Sequence, residues 1–229
     1  MLIKGLQKLT LLDYPGIMAC TVFTGGCNFR CPFCHNASLV THIDDEIISE
    51  EEFFELLDKR TSILQGVCIT GGEPTLQPDL YEFIGKIKAK GYKVKLDTNG
   101  YRPEILKKLV NDNMVDYVAM DIKNSKEKYG LTVGIKDFDI APVLESVEFL
   151  KQENVDFEFR TTIVKELHEP QDMVSIGEWL KGAKKYFLQG YIDSGDCIET
   201  GFNPIEKAEM MRFLSLVTPY VPNAQLRGV

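Results

Sequence analysis

Short apolar runs alternate with amphipathic segments along most of this chain. Six runs have the length and the β-branched or aromatic content of buried strands: ACTVFT (19–24), GVCIT (66–70), YKVKLDT (92–98), VDYVAMDIK (115–123), VDFEFRTTIV (155–164) and KYFLQGYI (185–192). Between and after them, apolar positions recur at helical spacing. Ser49 with Glu52 forms a capping box at the head of SEEEFFELLDKRTSIL, and Gly91 is placed to end DLYEFIGKIKAK in the left-handed conformation. PEILKKLVNDN, APVLESVEFLKQE, PQDMVSIGEWLKGA and PIEKAEMMRFLSLV complete the helical set. This alternation predicts an α/β fold with a parallel sheet and right-handed crossovers, in one domain over residues 1–229. The choice lies between an open doubly wound sheet and an incomplete barrel, because eight units need about 250 residues.

The residues after the strands favour the barrel. TGGEPT, DTNG, MDIK and LQGY follow or close four of the runs, so polar and glycine-rich residues gather at the carboxyl ends, where α/β folds bind ligands. Period-two geometry puts Lys95 with Asp97, Asp121 with Lys123, Glu158 with Arg160, and Gln189 with Tyr191 on shared faces. A closed, filled barrel would turn Val, Ile and Leu inward, so a polar inner face predicts an open barrel that holds a ligand.

Composition narrows the setting. The chain is 44% hydrophobic and 26% charged, with neither a signal-peptide pattern at its start nor an apolar run of membrane-spanning length, and it reads as cytosolic. A net charge of −8 argues against a nucleic-acid partner, since phosphate binding needs a concentrated basic surface. In a reducing compartment, clustered cysteines point to metal or catalysis more than to disulfides. Cys27, Cys31 and Cys34 are clustered in GGCNFRCPFCHNAS, with spacing C-x3-C-x2-C. Three readings follow. A [4Fe–4S] cluster on three thiolates leaves one iron open to a substrate or cofactor. A structural zinc wants four ligands, and the nearest fourth, His35, is awkwardly adjacent to Cys34. The thiols could also be incidental. Cys20 and Cys68 sit in apolar runs and read as buried, Cys197 stands alone, and His42 and His168, in polar stretches, read as surface residues.

CNFRCPFCHN, TGGEP and LDTNG, in that order and each beside a predicted strand, resemble the motifs of the radical S-adenosylmethionine (SAM) superfamily. Within it, DYPG (13–16), CHN after the third cysteine and MDIK resemble the glycyl-radical-enzyme activating enzymes, above all the longer activators of anaerobic ribonucleoside-triphosphate reductase. The resemblance implies an incomplete (β/α)6 barrel of the TIM type. It implies that Cys27, Cys31 and Cys34 ligate three irons of a [4Fe–4S] cluster, with SAM on the fourth. Phe33, Cys34 and His35 would border the adenine, Gly71 and Gly72 would let the backbone approach the cofactor, and Glu73 would accept from its ammonium. Asp97, Thr98, Asp121 and Lys123 would surround the carboxylate and ribose, with Gln189 or Tyr191 reaching the ribose; in some relatives the acidic members also hold a monovalent cation. Some of these residues also have a plain structural reading: core packing for Phe33, a tight turn for the glycines, a helix cap for Glu73, an ion pair for Asp121 with Lys123. The resemblance further implies a glycyl-radical enzyme as partner and an electron donor such as flavodoxin or ferredoxin. One departure is QGY (189–191), where the pyruvate formate-lyase activator has PYH. The alternatives are a small-molecule radical SAM enzyme such as a 7-carboxy-7-deazaguanine synthase, a radical SAM enzyme modifying RNA, and a non-catalytic zinc or electron-transfer module.

Overall fold

A computed structural model describes residues 1–41 and 47–229. Among the described residues, eight strands follow one another in chain order as neighbours in one sheet: β1 (Ile3–Thr10), β2 (Ala19–Thr24), β3 (Gly66–Gly71), β4 (Lys93–Thr98), β5 (Tyr117–Asp121), β6 (Asp156–Ile163), β7 (Tyr186–Gly190) and β8 (Ala224–Arg227). The first pair is antiparallel, while β2 with β3, β3 with β4, β6 with β7 and β7 with β8 are parallel. Helices α1 (Ala37–Thr41), α2 (Glu50–Lys59), α3 (Leu80–Ala89), α4 (Pro103–Asn111), α5 (Tyr129–Val133), α6 (Ala141–Leu150), α7 (Pro170–Trp179) and α8 (Lys207–Val217) lie between the strands. This is the α/β partial-barrel arrangement, with β1 and β8 added to the six strands that the hydrophobic pattern predicts.

The chain contacts divide into two compact units. The first comprises residues 1–28, 38–119 and 154–156; the second comprises 29–37, 120–153 and 157–229.

In the first unit, β2, β3 and β4 pair in register, so Val22, Ile69 and Leu96 form one fully buried row. Thr21, Cys68 and Lys95 form the neighbouring row, which faces the other way. Against this sheet pack α2 and α3, whose Phe53 and Phe83 rings lie 5.1 Å apart. The predicted cap on α2 is present: the Ser49 side chain accepts from the Glu52 N–H, 3.1 Å away. Gly91 ends α3 with φ +85°.

The second unit is built on β6, β7 and β8. Phe159, Ile163, Tyr186 and Leu188 are buried with Met173 and Ile176 of α7. Tyr186 donates its hydroxyl to Thr161 at 2.7 Å, so this large ring is buried without an unpaired polar atom. Beyond β5 the chain is tied down by the Ile122 N–H donating to the Arg160 carbonyl (2.7 Å) and the Thr161 hydroxyl donating to the Ile122 carbonyl (2.7 Å).

Two expectations about histidines meet different outcomes. His168 is not a surface residue: it is 3% exposed. Its Nδ1 accepts from the Val164 N–H at 3.1 Å, which leaves Nε2–H to donate to the Lys123 carbonyl at 3.0 Å. A neutral ring can satisfy both partners from the interior, and local polarity in the sequence gives no hint of that. His42 lies outside the described residues. Cys20 and Cys68 are buried, as their apolar runs imply.

Candidate functional site

Strand carboxyl ends place most of the candidate residues. In the first unit, β3 ends at Gly71 with φ +111°, a backbone that side chains other than glycine rarely adopt. A Cβ there would lie 2.4 Å from the Thr24 N, and one at Gly72 only 1.9 Å from the Gly26 carbonyl oxygen. The chain's own backbone therefore fills the space beside both glycines. The Gly72 and Glu73 N–H groups donate to Thr24 and Gly26 carbonyls at 2.9 and 2.8 Å, which stitches this turn to the start of the cysteine loop.

Glu73 caps a 3-10 turn over Pro74–Leu76 and is 1% exposed. Its Oε1 accepts from Thr75 N–H (3.0 Å), Thr75 Oγ1 (2.6 Å) and Thr98 Oγ1 (2.8 Å), and its Oε2 accepts from Asn99 N–H (2.7 Å). Burial pushes this carboxyl above the usual range, while the donors pull the other way. Thr98 is thus brought to Glu73, and its hydroxyl also accepts from the Gly100 N–H at 3.1 Å.

Asn99 is a residue that sequence reasoning passed over. Its amide donates to Asn28 Oδ1 at 2.9 Å and lies 4.0 Å from the Cys27 sulfur, while its backbone serves Glu73. The signal was present in LDTNG, where the resemblance singles out only Asp97 and Thr98 as candidates. Asp97 meets Lys95, whose ammonium also lies 3.8 Å from the Cys68 sulfur. Cys68 in turn lies 3.8 Å from Asp97 Oδ1.

In the second unit, the Cys34 N–H donates to the Cys31 carbonyl at 3.0 Å, a tight turn that presents two thiols from neighbouring positions. Burial pushes the Cys34 thiol up, and the Lys123 charge pulls it down; the same ammonium interacts with Cys31. Phe33 is 4% exposed, with edge contacts to Tyr191 and Phe202 at centroid distances of 6.3 Å each. His35 is exposed, and its carbonyl accepts from Ser194 Oγ at 3.1 Å. Asp121 accepts from Arg160 Nε at 2.9 Å on one oxygen and from Lys123 Nζ at 3.0 Å on the other. Burial opposes ionisation of Asp121, yet the charges of Arg160 and Lys123 hold its carboxyl well below the usual range. The expected ion pair is therefore present, with Arg160 as a third member. Gln189 is half-buried on β7 in register with Thr162 and Arg227. Tyr191 is buried, its hydroxyl 3.2 Å from the Cys197 sulfur.

The three loop thiols suit an iron–sulfur cluster. None is in a disulfide, and all are soft donors. Among the described residues no three His, Cys, Asp or Glu side chains converge on one point as a single metal ion requires. A cube does not ask for that, because each thiolate binds a different iron.

An α/β partial barrel whose first parallel strand runs into a three-cysteine loop defines the class. The Radical SAM superfamily model matches residues 21–179, well over half of the chain, and the chain belongs to that superfamily. Membership implies a [4Fe–4S] cluster and SAM, and makes the protein an enzyme, which sets aside the zinc and electron-transfer modules. MJ1227 of Methanocaldococcus jannaschii, provisionally named a glycyl-radical enzyme activating enzyme, is 31% identical over 100% of this chain and 96% of its own. A pyruvate formate-lyase-activating enzyme of Listeria monocytogenes is 27% identical over 78% of this chain and 75% of its own. Among solved structures, Streptococcus suis SuiB bound to its precursor peptide SuiA has the same fold. It superposes with a TM-score of 0.72 at 14% identity, over 91% of this chain and 48% of SuiB. Among the described residues no helix is long and apolar enough to cross a membrane.

Proposed function

We propose that this protein activates a glycyl-radical enzyme, and that its partner is an anaerobic ribonucleoside-triphosphate reductase. The reading is supported by an end-to-end similarity to MJ1227, which extends over 100% of this chain and 96% of its own length. Cys27, Cys31 and Cys34 would hold the cluster. Bound together, the cluster and SAM supply one-electron reductive cleavage of the sulfonium and a carbon radical that takes hydrogen from a glycine of the partner.

The chain's own residues do the rest. Asn99 donates toward the Cys27 sulfur, which tempers the charge of a thiolate there. Glu73, held by four donors, fixes the Thr98–Asn99 turn beside Cys27, and with it the register of the motif. Lys123 brings positive charge to Cys31 and Cys34 while bound to Asp121. Asp97, Thr98, Asp121, Lys123 and Gln189 are the residues proposed to orient the cofactor, Phe33 and His35 to border its adenine. Orientation is the larger part of their task, because a hydrogen transfer needs the reacting atoms in near contact. The electron would come from a small carrier of the flavodoxin or ferredoxin type.

Mixing the reduced, cluster-loaded protein with SAM and the reductase of the same organism should give a stable organic doublet in electron paramagnetic resonance. Replacing the reductase's radical glycine with alanine should remove it. SAM consumed in step with a small carbon substrate, with no radical left on any protein, would replace this reading with that of a small-molecule synthase.

A further inference from the structure

Asp97 and Asp121 are the two carboxylates that the family resemblance linked to a monovalent cation, and each already meets a positive charge of its own chain. We propose that the ammonium of Lys95 stands in for such a cation beside Asp97, so that this protein binds none there. Lys95 lies on β4 two residues before Asp97, and the period of a strand puts both side chains on one face. In register on β3 is Cys68, whose sulfur lies 3.8 Å from the ammonium. The amine is thus held from two strands, and Lys95 is 1% exposed, among the largest fully buried side chains of the protein. A buried ammonium needs a counter-charge, and it contacts Asp97 directly.

These facts make a monovalent cation a poor fit. A cation binds where several oxygens carry an excess of negative charge. At Asp97 that charge is matched by a tethered ammonium, and a second cation within a few ångströms would be repelled across a medium of low polarity. Asp121 is matched twice over, by Arg160 at 2.9 Å and Lys123 at 3.0 Å. A tethered charge also needs no cation in solution, because its effective concentration is set by the chain. Lys95 is accordingly a positioning residue: it holds the Asp97 carboxylate in place. That Asp97 serves SAM rests on the function proposed above; the Lys95–Asp97 pair does not.

The test uses the cluster-free full chain with thallium(I), followed by its own magnetic resonance, as the probe for a potassium site. Wild-type protein should take up no stoichiometric thallium, and its Tm should be the same in potassium chloride and in tetramethylammonium chloride of equal ionic strength. Lys95→Met keeps the length of the side chain and removes its charge. Its Tm should fall in tetramethylammonium chloride and recover in potassium chloride, a rescue that lost packing alone would not produce. Stoichiometric thallium uptake by the wild type, abolished in Asp97→Asn, would overturn the proposal. Should Lys95→Met fail to fold, the wild-type titration decides by itself. In the cluster-loaded protein, SAM affinity should agree within twofold between the two salts, and a tenfold loss without potassium would also overturn it. Absence of SAM binding in both salts would count against the cofactor role and leave the thallium result standing.

Discussion

Single residues carry two roles here that their motifs do not separate. Gly72 belongs to a motif associated with a cofactor, yet the atom that forbids a side chain there is the Gly26 carbonyl oxygen. Gly72→Ala should therefore destabilise the cluster-free protein by about 3 kcal/mol or more in urea unfolding, before any cofactor is present. A stability equal to wild type would show that the turn can relax and that the glycine serves the ligand alone. The cysteines divide more simply. Cys27→Ala, Cys31→Ala and Cys34→Ala should each abolish the cluster after anaerobic reconstitution, and Cys197→Ala should retain about four irons per chain with matching sulfide. Stoichiometric zinc with no iron in the wild type would reverse that expectation.

Among the elements, the segment between β6 and α7 does more than connect. His168 is buried there, accepting from Val164 and donating to the carbonyl of Lys123, the residue that carries positive charge to Asp121. Burial holds its imidazole below the ordinary value, so the folded protein keeps it neutral where the unfolded chain would bind a proton. The sign follows: a depressed value contributes stability that is present above about pH 6.5 and is lost as pH falls toward the folded value. Urea unfolding of cluster-free protein at pH 7 and pH 5 should show this loss, and His168→Gln should flatten it. An unchanged slope in the variant would mean that other groups govern the acid limb.

For the molecule as a whole, the expected chemistry is independent of which partner it serves. Reduced with dithionite, cluster-loaded protein should release methionine and 5′-deoxyadenosine slowly and in equal amounts, and Asp97→Ala should weaken SAM binding with the cluster spectrum intact. Unaltered affinity in that variant would move the cofactor away from Asp97. The net charge of −8 adds that a partner's contacting surface is expected to be locally basic.

Much of this protein was written in local order. The runs at 19–24 and 66–70 became β2 and β3 almost to the residue, and six long helical patterns became helices, because buried strands and amphipathic helices announce themselves by period. The cysteine loop and the polar strand ends were legible for the same reason: residue type and spacing suffice. Tertiary structure decided what spacing cannot express. β1 and β8 were missed, the first because IKGLQKLT exposes much of its length, the second because four residues carry no period. The helices α1 and α5, five residues each, are likewise too short to show one. Asn99 gained its role only when β4 ended beside Asn28, and His168 went inside because two backbone groups could satisfy its ring. The Lys95–Asp97 face could be read from the period of a strand, but its burial could not. That depended on β3 laying Cys68 alongside, and on the low polarity that makes a buried amine hold its carboxylate.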